Sequence, residues 1–277
     1  MEQKVLKPAE IVEYTIQAGI GKVAGSFQKL FILGIMAGVF IAFASEGSNM
    51  AAFNLFAVPE SYGLGKALAG SIFGTGLMLV VLAGGELFTG NTMILAAVCE
   101  KKVTVAGMLR NWVIVYIGNF VGSVFIAYMM AESGLFTSGA SMLGAVTLKI
   151  AVYKVGLPFM SAFFLGIMCN WLVCLAVWLS YGAEHMIGKI FGIFFPIWLF
   201  ITSGFEHCVA NMYYIPAGLL IKGNEAYASL SGLSAEAIAS LTWGSFFINN
   251  LIPVTLGNIV GGGVFVGMAY WYSYKKC

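Results

Sequence analysis

Six long apolar runs decide what this chain can become. They cover residues 30–45, 67–98, 112–131, 156–183, 190–221 and 242–274. A helix crosses the hydrocarbon of a bilayer with about 20 apolar residues. Backbone at that depth must satisfy its own hydrogen bonds, which leaves helices or a closed barrel. Runs of this length predict an all-α integral membrane protein with six transmembrane helices. Charge agrees: only 9% of the 277 residues are charged, against roughly 25% in a soluble domain. Too few charges are present to cover a water-facing surface. The formal net charge of +2 gives no basis for nucleic-acid binding.

Orientation follows from the cations. With both termini on one side, that side holds Lys4, Lys7, Lys22, Lys29, Lys101, Lys102, Arg110, Lys189, Lys275 and Lys276, and the other holds only Lys66, Lys149, Lys154 and Lys222. The positive-inside rule then places the termini in the cytoplasm. Residues 1–29 mix lysines with Glu10 and Glu13 and lack a signal-peptide pattern. They read as an amphipathic helix lying at the membrane interface.

The runs at 67–98 and 190–221 are too long for one crossing, and each is interrupted by polar residues. The interruptions read Gly84-Gly85-Glu86-Leu87-Phe88-Thr89-Gly90-Asn91 and Ser203-Gly204-Phe205-Glu206-His207-Cys208-Val209-Ala210-Asn211. An unbroken helix would carry a glutamate through lipid, so the second and fifth helices are expected to be broken at the midplane, where irregular backbone survives only against protein or a water-filled cavity.

The halves also match. Leu33-Gly34-Ile35-Met36 repeats as Leu165-Gly166-Ile167-Met168, Glu86 and Asn91 as Glu206 and Asn211, and Gly118-Asn119-Phe120-Val121-Gly122 as Gly257-Asn258-Ile259-Val260-Gly261. Three matches in the same order indicate a duplication. Each unit holds three spans, an odd number, so the second unit must enter the membrane inverted. Inverted repeats with broken helices are the pattern of channels and transporters, with the site near the midplane. The expected organisation is one channel domain over 1–277, with an amphipathic segment at 1–29 and repeats at 30–131 and 156–274.

Within this frame His207 stands out, because an ionisable group at membrane depth is costly and usually functional; its bland alternative is a neutral ring bonded to loop carbonyls. Glu86 and Glu206 are placed symmetrically, which favours bracing: a carboxylate can accept from the free amides at a new helix N-terminus. Asn91, Asn211, Asn119 and Asn258 are expected to brace the same region. Asn170 stands where the first repeat has Gly38, and that asymmetry makes it a candidate for pore lining. Thr89 lies in the first break, positioned to face His207. Lys154 and Lys22 lie on opposite sides and either attract anions or snorkel. The scattered Cys99, Cys169, Cys174, Cys208 and Cys277 form no C-x-x-C pair, so neither a disulfide framework nor a metal site is expected.

The segments at 84–91, 165–178, 204–212 and 249–258 together resemble the formate/nitrite transporter family of anion channels, and the form Gly-Glu-Leu-Phe-Thr-Gly-Asn is most similar to its hydrosulfide-channel branch. The resemblance covers nearly the whole chain. It implies an aquaporin-like fold, a pore through each protomer of a homopentamer in a bacterial inner membrane, and no cofactor. It assigns His207, Thr89 and Asn170 to the pore centre, and Lys154 and Lys22 to the outer and inner vestibules. Its two apolar constrictions fall near Phe73 and Leu77 on one side of His207, and near Leu87, Phe88, Val173 and Phe200 toward the other. The solutes implied are small monovalent weak-acid anions such as hydrosulfide, formate or nitrite. A water or glycerol pore fits the repeat equally well, but the Asn-Pro-Ala tripeptide of such pores is missing. A passive channel and a proton-coupled carrier are both compatible with these residues. An enzymatic reading has little support, since a single intramembrane histidine cannot form a bis-histidine haem and no H-E-x-x-H is present.

Overall fold

Helices α1 (Pro8–Val23) and α2 (Phe27–Phe56) open the fold described by the computed structural model, which covers residues 5–277; Lys4 lies outside the described residues. They are followed by α3 (Tyr62–Met78), which continues through wider π turns to Gly84, and by the short α4 (Phe88–Asn91) and α5 (Ile94–Cys99). Next come α6 (Val105–Glu132), α7 (Met142–Val155), α8 (Phe159–Gly182), α9 (Met186–Ser203) and α10 (Cys208–Ile221). Two small helices, α11 (Glu225–Ser231) and α12 (Ala235–Ser240), precede α13 (Trp243–Lys276). Among the described residues six helices are long and apolar enough to cross a membrane: α2, α3 with its continuation, α6, α8, α9 and α13. No strand occurs among the described residues.

Small residues set how closely these helices approach. A Cβ on Gly118 of α6 would lie 2.8 Å from the Phe31 carbonyl oxygen of α2, and one on Gly166 of α8 would lie 2.8 Å from the Val254 carbonyl oxygen of α13. Any side chain there would push the pair apart. Close backbone approach is the main way membrane helices gain packing, because lipid supplies no hydrophobic drive between them.

Both long runs are interrupted, each as helix, loop and second helix. Helix α9 ends in a Schellman turn: Gly204 has φ +80°, its N–H donates to Ile201 O, and Phe205 N–H donates to Phe200 O. Only glycine takes that backbone conformation cheaply. The end of α9 lies beside the start of α3, with Trp198 Nε1 donating to Ala67 O at 2.7 Å. The chain then doubles back along residues 204–207 and starts α10. In the first repeat Gly84, with φ +96°, makes the corresponding reversal before Leu87 and α4. The excess length of these runs is thus one nearly full-length helix, a return loop and a second shorter helix.

Helix α1 packs on α5 and α8, and α7 packs on α10. Their lysines, Lys22 and Lys154, stand at the same offset as Leu33 and Leu165. We propose that the repeat units extend to include α1 and α7. Apolar periodicity cannot reveal α7, because its 14 residues are too few for a span.

Candidate functional site

The two return loops are fastened by matching hydrogen bonds. In the first repeat, Asn119 Oδ1 accepts from the Phe88 N–H at 2.9 Å, while its Nδ2 donates to Gly34 O at 2.7 Å and Glu86 O at 2.9 Å. In the second, Asn258 Oδ1 accepts from the Cys208 N–H at 2.9 Å, and its Nδ2 donates to Gly166 O at 2.8 Å and Glu206 O at 3.0 Å. Each asparagine uses its amide to cap the new helix and to hold the loop to the first span of its repeat. The cap expected of the glutamates is therefore supplied by Asn119 and Asn258. Asparagine suits the task because it both donates and accepts, whereas an ionised carboxylate only accepts.

The glutamates bind lysine instead. Glu86 Oε2 accepts from Lys22 Nζ at 2.8 Å and from Asn91 Nδ2 at 2.7 Å. Glu206 accepts from Lys154 Nζ at 2.8 Å and from Asn211 Nδ2 at 2.7 Å. Each knot closes through one further asparagine. Asn111 accepts from Asn91 and donates to Lys22 O; Asn250 accepts from Asn211 and donates to Lys154 O. Asn111 and Asn250 share the sequence offset of Asn119 and Asn258, the signal that would have identified them. The Lys154–Glu206 pair is the more buried: its side chains are 11% and 3% exposed, against 22% and 14% for Lys22–Glu86.

Between the loops lies an asymmetric centre. Thr89 Oγ1 and His207 Nε2 are 3.0 Å apart, both buried. His207 is the N-cap of α10, and its Nδ1 accepts from the Ala210 N–H at 3.0 Å. That bond assigns the ring as neutral with its proton on Nε2, which donates to Thr89 and leaves the threonine hydroxyl hydrogen available. Asn170 Nδ2 lies within reach of Asn258 O at 2.7 Å, Thr89 O at 3.1 Å and Thr92 Oγ1 at 3.1 Å. The structure thus gives Asn170 a bracing position behind Thr89 rather than an open face.

The apolar candidates divide differently from expectation. Phe200 packs edge-on against Phe73, centroids 5.6 Å apart, and lies 6.1 Å from the His207 ring. It therefore packs with Phe73 and lines the cavity that Lys154 also lines. Leu87 and Val173 are buried. Phe88 instead turns its ring onto Tyr116 at 4.8 Å and Trp112 at 6.0 Å of α6. On the Lys154 side a cavity of about 810 Å³ reaches from Tyr62 and Lys149 down to Phe200 and His207. No cluster able to hold a metal occurs among the described residues.

Sequence reading stopped the first span at residue 45 and so missed Glu46. This carboxyl accepts from the Tyr213 hydroxyl inside the helical bundle.

A family model described as formate/nitrite transporter matches residues 9–272. The chain belongs to this family. Similar members include a probable formate transporter of Methanothermobacter thermautotrophicus, 42% identical over 262 residues, covering 90% of this chain and 89% of the relative. The formate channel FocA of Escherichia coli strain K12 is 37% identical over 274 residues, covering 98% and 95%. A solved structure of a pentameric formate channel with formate bound superposes with a TM-score of 0.79 at 40% identity, covering 90% of this chain and 97% of that one. A second, an FNT family ion channel, gives 0.76 at 30% identity, covering 95% and 98%. Membership makes the chain a multi-pass membrane transport protein of a non-enzymatic family.

Proposed function

We propose that this formate/nitrite transporter family member is a homopentameric channel for small monovalent weak-acid anions, with formate foremost and both termini in the cytoplasm. The observation that carries the reading is the Thr89–His207 pair, 3.0 Å apart, below a lysine-bearing cavity and among apolar side chains. An anion leaving that cavity passes Phe73, Leu77 and Phe200 and sheds water. Desolvation of an ion is costly unless hydrogen bonds replace the solvent. The Thr89 hydroxyl, whose oxygen accepts from the His207 Nε2–H, is the donor available at the narrow centre, and Leu87 and Val173 form the apolar wall beyond.

The hydrogen bonds also limit what the histidine can do with protons. An imidazolium would set its Nδ1–H against the Ala210 N–H and break the cap. Release of the Nε2 proton would leave an imidazolate. In this geometry the ring is a hydrogen-bond donor, not a proton store, so a solute crossing as its neutral acid takes its proton from water. The pH dependence of flux should then follow the solute's own acid equilibrium. Formate leads among the solutes because the relatives described above carry formate in their names. The likeness of residues 85–91 to the hydrosulfide branch makes hydrosulfide the second solute to measure.

The test is flux into proteoliposomes for formate, nitrite, hydrosulfide and sulfate at several pH values. Passage of the monovalent anions and exclusion of sulfate is the expected result, because a divalent ion sheds a far larger hydration energy. Robust sulfate flux through the purified protein would overturn the reading.

A further inference from the structure

Three buried side chains converge on the backbone oxygen of Thr89. Thr92 Oγ1 donates to it at 2.6 Å, Asn170 Nδ2 reaches it at 3.1 Å and Cys174 Sγ at 3.4 Å. All three residues are fully buried, and they meet one another: Thr92 Oγ1 lies 3.1 Å from Asn170 Nδ2 and 3.5 Å from Cys174 Sγ. A carbonyl oxygen has two lone pairs, so three donors within reach saturate it. The hydroxyl of the same residue is the group that meets His207.

Space for this clasp comes from α13. A Cβ on Gly262 would lie 2.2 Å from Thr92 Oγ1, 2.4 Å from Asn170 Nδ2 and 2.5 Å from Cys174 Sγ. Those separations are far inside van der Waals contact, and a close-packed interior leaves the three side chains no volume to retreat into. A methyl group there would displace the donors themselves. The backbone at Gly262 is wound in helical turns, so the glycine is needed for space and not for conformation. The other half differs at each of these places. At the matching sequence offsets Met212 stands for Thr92, Gly38 for Asn170, Ala42 for Cys174 and Ser123 for Gly262. The corresponding oxygen, Val209 O, meets Ser123 Oγ at 3.5 Å, the far limit of a hydrogen bond, and Met212 and Ala42 have no side-chain donor to offer. The clasp is thus built on the loop whose side chain faces the histidine.

We propose that Gly262, Thr92 and Cys174 are positioning residues of the pore centre, which fix the Thr89 backbone so that its hydroxyl stays at the His207 ring. They act through Thr89 and not on the solute. A hydroxyl replaces lost hydration at little cost only if it is already in place when the ion arrives, and the clasp keeps it there. The proposal rests on the channel reading above and deepens it by naming what holds the donor.

Two measurements on the full-length protein separate the two ideas. The first reads geometry without flux. His185 and His207 are the only histidines, so isotope-labelled histidine isolates the His207 ring by nuclear magnetic resonance in detergent, with exposed His185 as the internal control. The Nε2 proton bonded to Thr89 should resonate downfield, and Thr89→Val marks its position once that bond is gone. Gly262→Ala, Thr92→Val and Cys174→Ala should move the signal toward that position. Thr92→Ser and Cys174→Ser keep a donor and should leave it near wild type. The second reads transport. Gly262→Ala should lower maximal formate flux about fivefold, the worth of a single hydrogen bond, with little change in the half-saturating concentration because the cavity that gathers the solute is untouched. Where Gly262→Ala does not assemble, Thr92→Val and Thr92→Ser decide alone. A wild-type His207 signal in assembled Gly262→Ala and in Thr92→Val overturns the positioning role and leaves the channel reading intact. Equal shifts in Thr92→Val and Thr92→Ser assign the effect to packing and overturn it as well, as do shifts without any fall in maximal flux. The expected shifts in a protein that carries no anion support the positioning role and sink the channel reading instead.

Discussion

The two halves of the molecule share their supports and differ where they meet. Asn119 and Asn258, Glu86 and Glu206, Asn91 and Asn211, Lys22 and Lys154, and Asn111 and Asn250 make the same bonds in both halves. Three other equivalent places hold different residues: Leu87 against His207, Thr89 against Val209, and Gly38 against Asn170. Leu87 and His207 are both N-caps, yet only the histidine makes a side-chain cap. The brackets match residue for residue, and the polar pair lies where the two halves differ. We propose that the matched residues hold the return loops and that Thr89, His207 and Asn170 serve the solute path.

That division can be broken most forcefully at the asparagines. Asn119→Leu and Asn258→Leu each leave a buried helix-start amide and a loop carbonyl without that partner, a loss of about 3 kcal/mol. Both variants should lose thermal stability and oligomer in detergent, and to a similar extent. If one were tolerated and the other not, the brackets would not be equivalent.

The seam should respond in function rather than in folding. His207→Ala is expected to lower formate flux by about 10- to 100-fold, the worth of one hydrogen bond to a charged group. His207→Asn retains both a capping acceptor and a donor and should assemble as wild type does. Thr89→Val should change flux in the same direction by less, and Val209→Thr should do little. The measurement is flux against pH for each variant, with oligomer size checked. Wild-type anion ranking and pH profile in correctly assembled His207→Ala would make the histidine structural.

The lysine pairs sharpen the comparison further. Lys154→Ala leaves Glu206 buried and uncompensated, so formate flux at low salt should fall about threefold, and high salt should restore little of it because buried charge is weakly screened. Lys22→Ala exposes Glu86, which is nearer water, and should cost less and recover in salt. Lys154→Ala combined with Glu206→Gln should regain most of the loss. Equal, fully salt-sensitive effects at both lysines would show that burial does not distinguish the pairs.

The smallest effect belongs to a contact outside the seam. Glu13 Oε2 accepts from Lys275 Nζ at 2.8 Å and joins the two chain ends. That hydrogen bond holds the Glu13 carboxyl below its usual range. A depressed carboxylate contributes stability above its unfolded pKa and loses it as pH falls through the folded one. Glu13→Gln should therefore lower stability by no more than about 0.5 kcal/mol near neutrality, and the difference should close only as pH falls through the depressed folded pKa. Thermal denaturation in detergent across that range checks it, and a difference that persisted in acid would assign the effect to packing.

Six spans and their helical nature were legible in the sequence because lipid permits few solutions. The candidate centre was partly legible too: His207 and Thr89 stood out as polar groups at a depth where polarity is expensive, and the fold brings their side chains within hydrogen-bond distance. Spacing could not show which asparagine caps which helix, since Asn119 reaches Phe88 across 31 residues and Asn258 reaches Cys208 across 50. Nor could it show that Lys22 and Lys154 are bound to the glutamates, that Phe200 stands with Phe73, or that Phe88 faces α6. Those outcomes depend on the reversals at Gly84 and Gly204, which fold each chain segment back beside itself. One-dimensional periodicity records which residues prefer lipid or water; which side chains meet is fixed only when the helices cross and the return loops turn.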